Sequence, residues 1–231
     1  MPAAEKRLEV IRHRIEACKA CPRLVRYRER VARDKRLAYR GETYHGRPVA
    51  GFGDPAARIV IVGLAPGAHG ANRTGRVFTG DRSGDFLFGA LHRARLASQP
   101  TSTSLADGLQ LRGVFITLAA RCAPPDNKPS RIELVRCTHW LDDELAALES
   151  ARVYLALGSI AFDAVMKNAA RIGIRFERAP RFAHAAEVSV GQSRTLLASY
   201  HVSQQNTQTG RLTPSMFDTV IARAKTLADF A

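Results

Sequence analysis

The sequence predicts an α/β protein, a three-layer αβα domain around a central four-stranded parallel sheet. Three observations carry this. Four short apolar runs, at 58–66, 113–121, 152–160 and 194–203, are rich in Val, Ile, Leu, Phe or Tyr and read as buried strands. Helical patterns separate them, and alternating strands and helices imply a parallel sheet covered on both faces. At 231 residues, the chain can bury one good core and fits a single domain (1–231) better than two.

The elements between the strands have marked starts. Ser130 and Glu133 form a Ser-x-x-Glu capping box after Pro129. Ser159 is expected to cap a helix running to about Asn168. Thr213 and Pro214 supply an N-cap and an N1 proline for a C-terminal helix. TSTSLADG at 101–108 reads as a surface loop. Residues 1–50 are expected to hold an N-terminal helix and a basic loop region.

Hydrophobic residues make up 45% of the chain, ordinary for a globular protein, and no apolar run approaches the ~20 residues that span a bilayer. The N-terminus is charged and amphipathic, without the apolar core or cleavage site of a secretory signal. A cytoplasmic protein with no membrane partner is expected. Lys and Arg total 35 against 21 Asp and Glu, a formal net charge of +14. Such a surplus suits a polyanion, because each neutralised phosphate releases counterions, though a basic surface also serves solubility. Clustering favours nucleic acid: Arg23, Arg26, Arg28, Arg30, Arg33, Lys35, Arg36 and Arg40 share one short stretch.

The unusual residues follow the strands. GLAPGAHG follows the first, RCAPPDNKP the second and HVSQQNTQTGR the fourth. In an open parallel sheet, ligands bind outside the carboxyl ends of the strands, so three polar, Gly- and Pro-rich loops at one edge mark a site. GLAPGAHGANRTG lacks both the phosphate-loop pattern and the dinucleotide pattern, since Ala65 stands where the second glycine of the latter is required. The loop of Gly63, Leu64, Ala65, Pro66, Gly67, Ala68 and His69 instead offers backbone donors to a carbonyl-bearing ligand such as a flipped pyrimidine. Phe78 can stack on a planar base or simply fill core. Asp81 can position a water, or cap the helix beginning SGDFLFGALHR, for which Ser83 is an equally good cap. His201 ends an apolar run and enters a polar loop, a poor place for a core histidine; neutral imidazole can donate to a developing anion. Asn206 offers an amide for a base or phosphate, or serves as a turn residue.

Cys18 and Cys21 form a C-x2-C pair, and Cys122 and Cys137 a C-x14-C pair. A reducing cytosol argues against structural disulfides. A C-x2-C lets both thiolates face one centre, and a second pair meeting it makes four ligands. That set accepts Zn²⁺ or an iron–sulfur cluster alike.

Together these motifs resemble the type b (family 5) uracil-DNA glycosylases of the uracil-DNA glycosylase superfamily. GLAPGAHGANRTGRVFTGD is similar to the first superfamily motif, HVSQQNTQTGR to the second, and RCAPPDNKP with Cys137 to a cluster-binding segment shared with the type a enzymes. The resemblance runs from Cys18 to Arg211. It implies a four-stranded parallel sheet between helices and a [4Fe–4S] cluster on Cys18, Cys21, Cys122 and Cys137. It also implies a monomer that cleaves the base–deoxyribose bond in DNA containing uracil or other deaminated bases, without a lyase step. Phe78 matches the base-stacking aromatic, His201 the leaving-group histidine, and Asn206 and Arg211 lie in the DNA-probing second motif. Related branches carry a catalytic carboxylate at the positions of Leu64 or Ala65, and a uracil-reading Asn where this chain places Leu118. These departures fit the broad-specificity type b branch and leave the carboxylate open, with Asp81, together with Asn127, as the candidate. The alternatives are a non-catalytic DNA-binding protein with a four-cysteine metal site and a hydrolase of small nucleotides. The latter lacks a phosphate-loop Lys and a carboxylate metal cluster.

Overall fold

The computed structural model describes residues 3–191 and 193–230. Two N-terminal helices, α1 (Ala3–Glu16) and α2 (Pro22–Asp34), precede β1 (Phe52–Gly53), β2 (Ile59–Gly63), α3 (Ala71–Thr74) and α4 (Arg82–Arg93). Then come β3 (Val114–Leu118), α5 (Arg131–Ala147), β4 (Val153–Leu157) and α6 (Ser159–Arg171). The chain closes with β5 (Glu187–Ser189), β6 (Thr195–Ser199), α7 (Gln204–Gln208) and α8 (Pro214–Leu227).

The sheet has six strands in the order β1-β3-β2-β4-β6-β5. Its four parallel strands β3, β2, β4 and β6 are the four predicted ones. The expectation of a purely four-stranded parallel sheet is corrected at both edges, where β1 and β5 pair antiparallel. Both edge strands are short and only partly covered, so neither carries an apolar run. β2 pairs β3 on one side and β4 on the other, which puts the reversal of winding at the carboxyl end of β2. That crevice is where ligands of such sheets bind.

Alternation splits the strands between two cores. Ile59, Ile61, Val153 and Leu155 face α4 and α8, with Leu87, Phe88, Phe217 and Ile221. Val60, Val62, Tyr154 and Ala156 face α5 and α6, with Leu141, Leu145, Phe162 and Val165. Each fully buried large side chain contributes about 1.5–3 kcal/mol.

The caps follow the sequence closely. Ser130 and Glu133 close their box reciprocally, and Thr213 accepts from the Met216 N–H ahead of Pro214. Two expectations change. Ser159 is the first helical residue of α6 rather than its cap; Gly158 caps with φ 92°, and the helix continues past Asn168 to Arg171. Strand β4 turns directly into this helix through left-handed backbone that glycine tolerates best. The basic stretch expected as a loop is largely α2: Pro22 opens it and its inner face buries Leu24 and Arg28.

Candidate active site

The loop after β2 is built into the sheet edge. The Ala119 and Ala120 N–H groups donate to the carbonyls of Gly63 and Leu64, at 2.9 Å each, prolonging the β2–β3 ladder beyond the strands. The chain then turns tightly, with Gly70 N–H and Asn72 N–H both donating to the Gly67 carbonyl. Pro66 is buried, whereas Leu64, Ala65, Gly67, Ala68 and His69 are partly exposed. Ala65 packs against the buried cluster that includes Ala50, Ala120, Cys137 and Trp140. His69 Nδ1 lies 3.0 Å from the Tyr44 hydroxyl, and burial, then Arg36 and Arg73, holds its pKa below the ordinary value.

Phe78 lies across the end of β2. A methyl group at Gly63 would sit 2.8 Å from Phe78 Cζ and 2.9 Å from Leu118 Cδ2, so only glycine lets the ring and Leu118 meet there. Phe78 has φ 51°, a left-handed conformation uncommon for a bulky residue and found where surrounding structure over-determines it. The bracing is visible. Gly84 of α4 approaches so closely that a methyl group would lie 1.9 Å from the Phe78 carbonyl oxygen. Arg76 donates to Thr79, Ser102 and Asp107, and Gly80 N–H donates to the Ser102 carbonyl. The 101–108 loop is therefore tied to the site through the buried Arg76–Asp107 pair, a connection the sequence did not disclose.

Asp81 resolves the choice of cap. Its Oδ1 accepts from Gly84 N–H at 3.0 Å, making it the N-cap of α4 instead of Ser83. Its Oδ2 faces the pocket loop, where a methyl group on Gly70 would come within 2.0 Å of it. Burial raises the Asp81 pKa, against the lowering effect of the Gly84 and Ser83 N–H groups. One oxygen thus serves the fold and the other is aimed at the Gly67–Gly70 turn.

His201 reaches the same edge from β6. Its ring centroid is 6.2 Å from that of Phe78 at 36°, and its Cβ lies beneath Gly158. Asn206 Nδ2 donates to the His201 carbonyl at 2.8 Å, so that half of its amide holds the loop rather than a ligand. Arg211 is exposed, with its guanidinium 4.7 Å from the Tyr200 ring centre. Asn127, in a turn after β3, is exposed with φ 55°, and no hydrogen bond joins it to Asp81 or His201. The structure thus gathers Phe78, His201, Asp81 and the 63–70 loop at one sheet edge.

Part of the His201 surface is open, yet the protein packed around its ring pushes its pKa down to about 4. It is neutral at pH 7 and has an N–H to donate. The unfolded chain binds this proton near pH 6.5 and the folded chain only near 4, so stability falls as pH drops through that window. Melting temperature is expected to decline between pH 6.5 and 4, and His201→Gln to flatten part of the decline; an unchanged profile would contradict the assignment.

The four cysteines also converge. All are free thiols; Cys21, Cys122 and Cys137 are buried and Cys18 is partly exposed. Cys18 follows α1, Cys21 precedes Pro22, Cys122 lies four residues beyond β3, and Cys137 sits about two turns into α5. Burial, joined by the other three thiols, pushes Cys122 up to about 12, against the lowering effect of the nearby Arg28. Burial also raises Cys21 and Cys137, with contributions from Cys18 on the first and from Cys21 and Cys18 on the second. Every pair of the four is within electrostatic reach.

The surroundings fit an anionic thiolate-bound centre. Among the described residues, the buried N–H groups of Arg28 Nε, Arg121 Nε and Trp140 Nε1 have no partner. Arg121 directly precedes Cys122, Trp140 lies one turn beyond Cys137, and Arg28 acts electrostatically on Cys122. A buried donor left unsatisfied costs about 1–3 kcal/mol, a penalty that sulfur acceptors among the thiols would relieve. Beside them, Arg121 donates to Glu144 at 2.8 Å and to Thr117 at 2.7 Å, Thr117 donates to Glu144, and Gly51 N–H donates to Glu144 at 2.9 Å. Sequence inspection missed this network because its members lie on separate elements; Arg121 beside Cys122 was the available signal.

Among the described residues, no helix is long and apolar enough to cross a membrane. The family model described as "Uracil DNA glycosylase superfamily" matches residues 50–225. A "Type-5 uracil-DNA glycosylase" of Thermus thermophilus is 56% identical over 214 residues, 93% of this chain and 95% of that protein. A protein of the same name from Mycobacterium leprae is 50% identical over 93% of both chains. A "Type-4 uracil-DNA glycosylase" of Thermotoga maritima is 30% identical, covering 70% of this chain and 67% of its own. A match to the family model over most of the chain, with relatives aligned nearly end to end, places this protein in the uracil DNA glycosylase superfamily.

Proposed function

We propose that this chain is a monofunctional glycosylase that hydrolyses the N-glycosidic bond of uracil and related deaminated bases in DNA, as a cytoplasmic monomer in base excision repair. The observation that carries the reading is the meeting of Phe78, His201 and the 63–70 loop at the winding reversal of the sheet. A flipped base stacks on Phe78 and takes hydrogen bonds from the loop; extrusion costs a few kcal/mol, least for a mispaired base. As the glycosidic bond lengthens, the sugar gains oxocarbenium character and His201 donates to the departing base anion. Asp81 Oδ2 holds the attacking water or offsets the charge on the sugar. Leu118 at the pocket wall presents a methyl group where a base-reading amide would discriminate, in keeping with a broad choice of base.

The test is release of free base from single-lesion oligonucleotides, single- and double-stranded, containing uracil, hydroxymethyluracil, hypoxanthine or xanthine. Release of uracil from DNA but not from the nucleoside supports the reading over a small-nucleotide hydrolase; tight binding without release would return it to a binding module. Asp81→Ala is expected to slow single-turnover excision by about 10²-fold while DNA affinity holds, the range of a general-base contribution. Full rate in Asp81→Ala would remove the water from its charge.

Cys18, Cys21, Cys122 and Cys137 would hold a [4Fe–4S] cluster. Four thiolates accept zinc as well as a cluster, and metal and sulfide analysis of the purified protein separates the two. When bound the cluster would supply cross-linking between α1, α2, α5 and the loop after β3, since base hydrolysis moves no electrons. Cys122→Ala is expected to lose visible cluster absorbance and to melt several degrees lower; a variant that keeps fold, stability and activity without that absorbance would deny the cluster its structural part.

A further inference from the structure

The structure sorts the basic stretch that the sequence left undivided. Arg28 turns inward, is 2% exposed, and donates to the Gly46 carbonyl at 3.1 Å. Arg23 is paired with Glu133 at 2.7 Å, and Lys35 donates to the carbonyls of Arg40 and Glu42. Those three serve the fold. Arg26, Arg30 and Arg33 do not. They are exposed, and among the described residues Arg26 and Arg30 have no carboxylate partner; Arg33 meets only its neighbour Asp34, at 3.2 Å.

Residues 23, 26, 30 and 33 fall within about 80° of arc on α2 at 3.6 residues per turn, so the outer face of the helix is an arginine ridge. It forms one wall of a cleft of about 500 Å³ closed on the other side by Pro125, in the turn after β3. Tyr27 lines it, with the Arg30 guanidinium 5.6 Å from its ring centre, and Glu29 is its one acidic lining residue. The cleft is therefore polar, cationic and open along a helix, a shape that suits a chain of anions better than a compact ligand.

Its place relative to the site is fixed by two contacts. Asn72 Nδ2 donates to the Arg28 carbonyl at 3.2 Å and to the Ala68 carbonyl at 3.3 Å, joining α2 to the pocket loop through one amide. The Pro125 wall belongs to the loop leaving the same sheet edge as Gly63 and Leu118.

We infer that the α2 ridge, through Arg26 and Arg30 with Arg33 beside them, is a binding surface for the DNA phosphate backbone flanking the extruded base. The inference rests on the glycosylase reading and adds to it a surface outside the pocket. Arginines on one face rise about 6 and 4.5 Å between successive members along the axis, and their long stems let each follow a separate phosphate. The guanidinium groups neutralise charge and carry no base readout, so the ridge sets affinity and register, and the pocket sets which base is removed. The opposite face of the same helix carries Leu24, which packs with Cys21 and Cys122.

The test is the salt dependence of binding of the full-length protein to a uracil-containing duplex, read by fluorescence anisotropy. The plot of log K against log salt loses about 0.9 in slope per phosphate contact removed. R26Q/R30Q is expected to flatten the slope by nearly 2 and to weaken binding at least tenfold at moderate salt. R26K/R30K is expected to keep most of the slope. R112Q/R152Q removes the same charge from the amino-terminal edge of the sheet, where both residues are exposed, and is expected to leave the slope alone. A wild-type slope in R26Q/R30Q, or an equal loss in R112Q/R152Q, overturns the inference. Wild-type protein that binds DNA but releases no base would instead overturn the glycosylase reading, so the two failures are told apart.

Discussion

His201→Ala is expected to lower the single-turnover rate of uracil release by about 10²–10³-fold, the range seen when one preorganised donor to a developing anion is removed. DNA affinity should stay close to that of the intact protein, because the imidazole acts on charge that exists only as the bond breaks. The position explains the size. His201 stands where β6 ends, its ring beside Phe78 and its carbonyl held by Asn206. Because burial keeps it neutral down to about pH 4, the rate should show no inflection near pH 6.5 from this residue. A rate within a few-fold of wild type in His201→Ala would mean that the base leaves with help from elsewhere, and the backbone donors of the 63–70 loop would inherit the role.

The second large effect is on stability. Glu144→Ala should cost about 3–5 kcal/mol, the usual penalty for breaking a buried ion pair from one side. Arg121 and Glu144 are 1% and 2% exposed, and removal of the carboxylate strands a buried guanidinium whose Nε already lacks a partner. The Gly51 N–H and the Thr117 hydroxyl lose their acceptor at the same time. At about 2–4 °C per kcal/mol for a chain of this size, melting should fall by roughly 10 °C in calorimetry. Replacing the pair with apolar residues, Arg121→Met with Glu144→Leu, should recover much of that loss. A single variant that melts within a degree or two of wild type would show that water reaches Arg121.

These two sites differ in how far the sequence disclosed them. The place of His201 at the sheet edge was legible because a histidine that closes an apolar run and enters a polar, Gln-rich loop has few packing reasons to be there. The four parallel strands were legible for the same kind of reason: double-faced burial writes continuous apolar runs. Edge strands β1 and β5 are half-covered and brief, so their local composition says little, and their pairing is decided by the strands beside them. Arg121, Thr117 and Glu144 form one network across a strand, a loop and a helix, and no periodicity encodes an ion pair between separate elements. Asp81 shows a subtler gap. Its capping role is realised through one carboxylate oxygen, the other faces the Gly67–Gly70 turn, and only the geometry of Gly70 and Gly84 divides them. The cysteines were legible as a set of four, whereas the arginine and tryptophan donors around them were not, since each reads alone as ordinary surface or core.

Helix α5 acts as a ruler. Glu133 meets Arg23 of α2, Cys137 faces the other thiols, Trp140 packs beside α1, and Glu144 holds Arg121 and Gly51. Offsets of 4, 7 and 11 keep these side chains on one stripe over about 16 Å of helix. A one-residue insertion anywhere inside that interval would swing everything beyond it by about 100° and uncouple the thiol site from the sheet. Its outward positions, such as the exposed Ile132 and Val135, can change side chain freely. This helix is thus constrained in length more than in composition, and insertions or deletions in this chain should be confined to its surface loops.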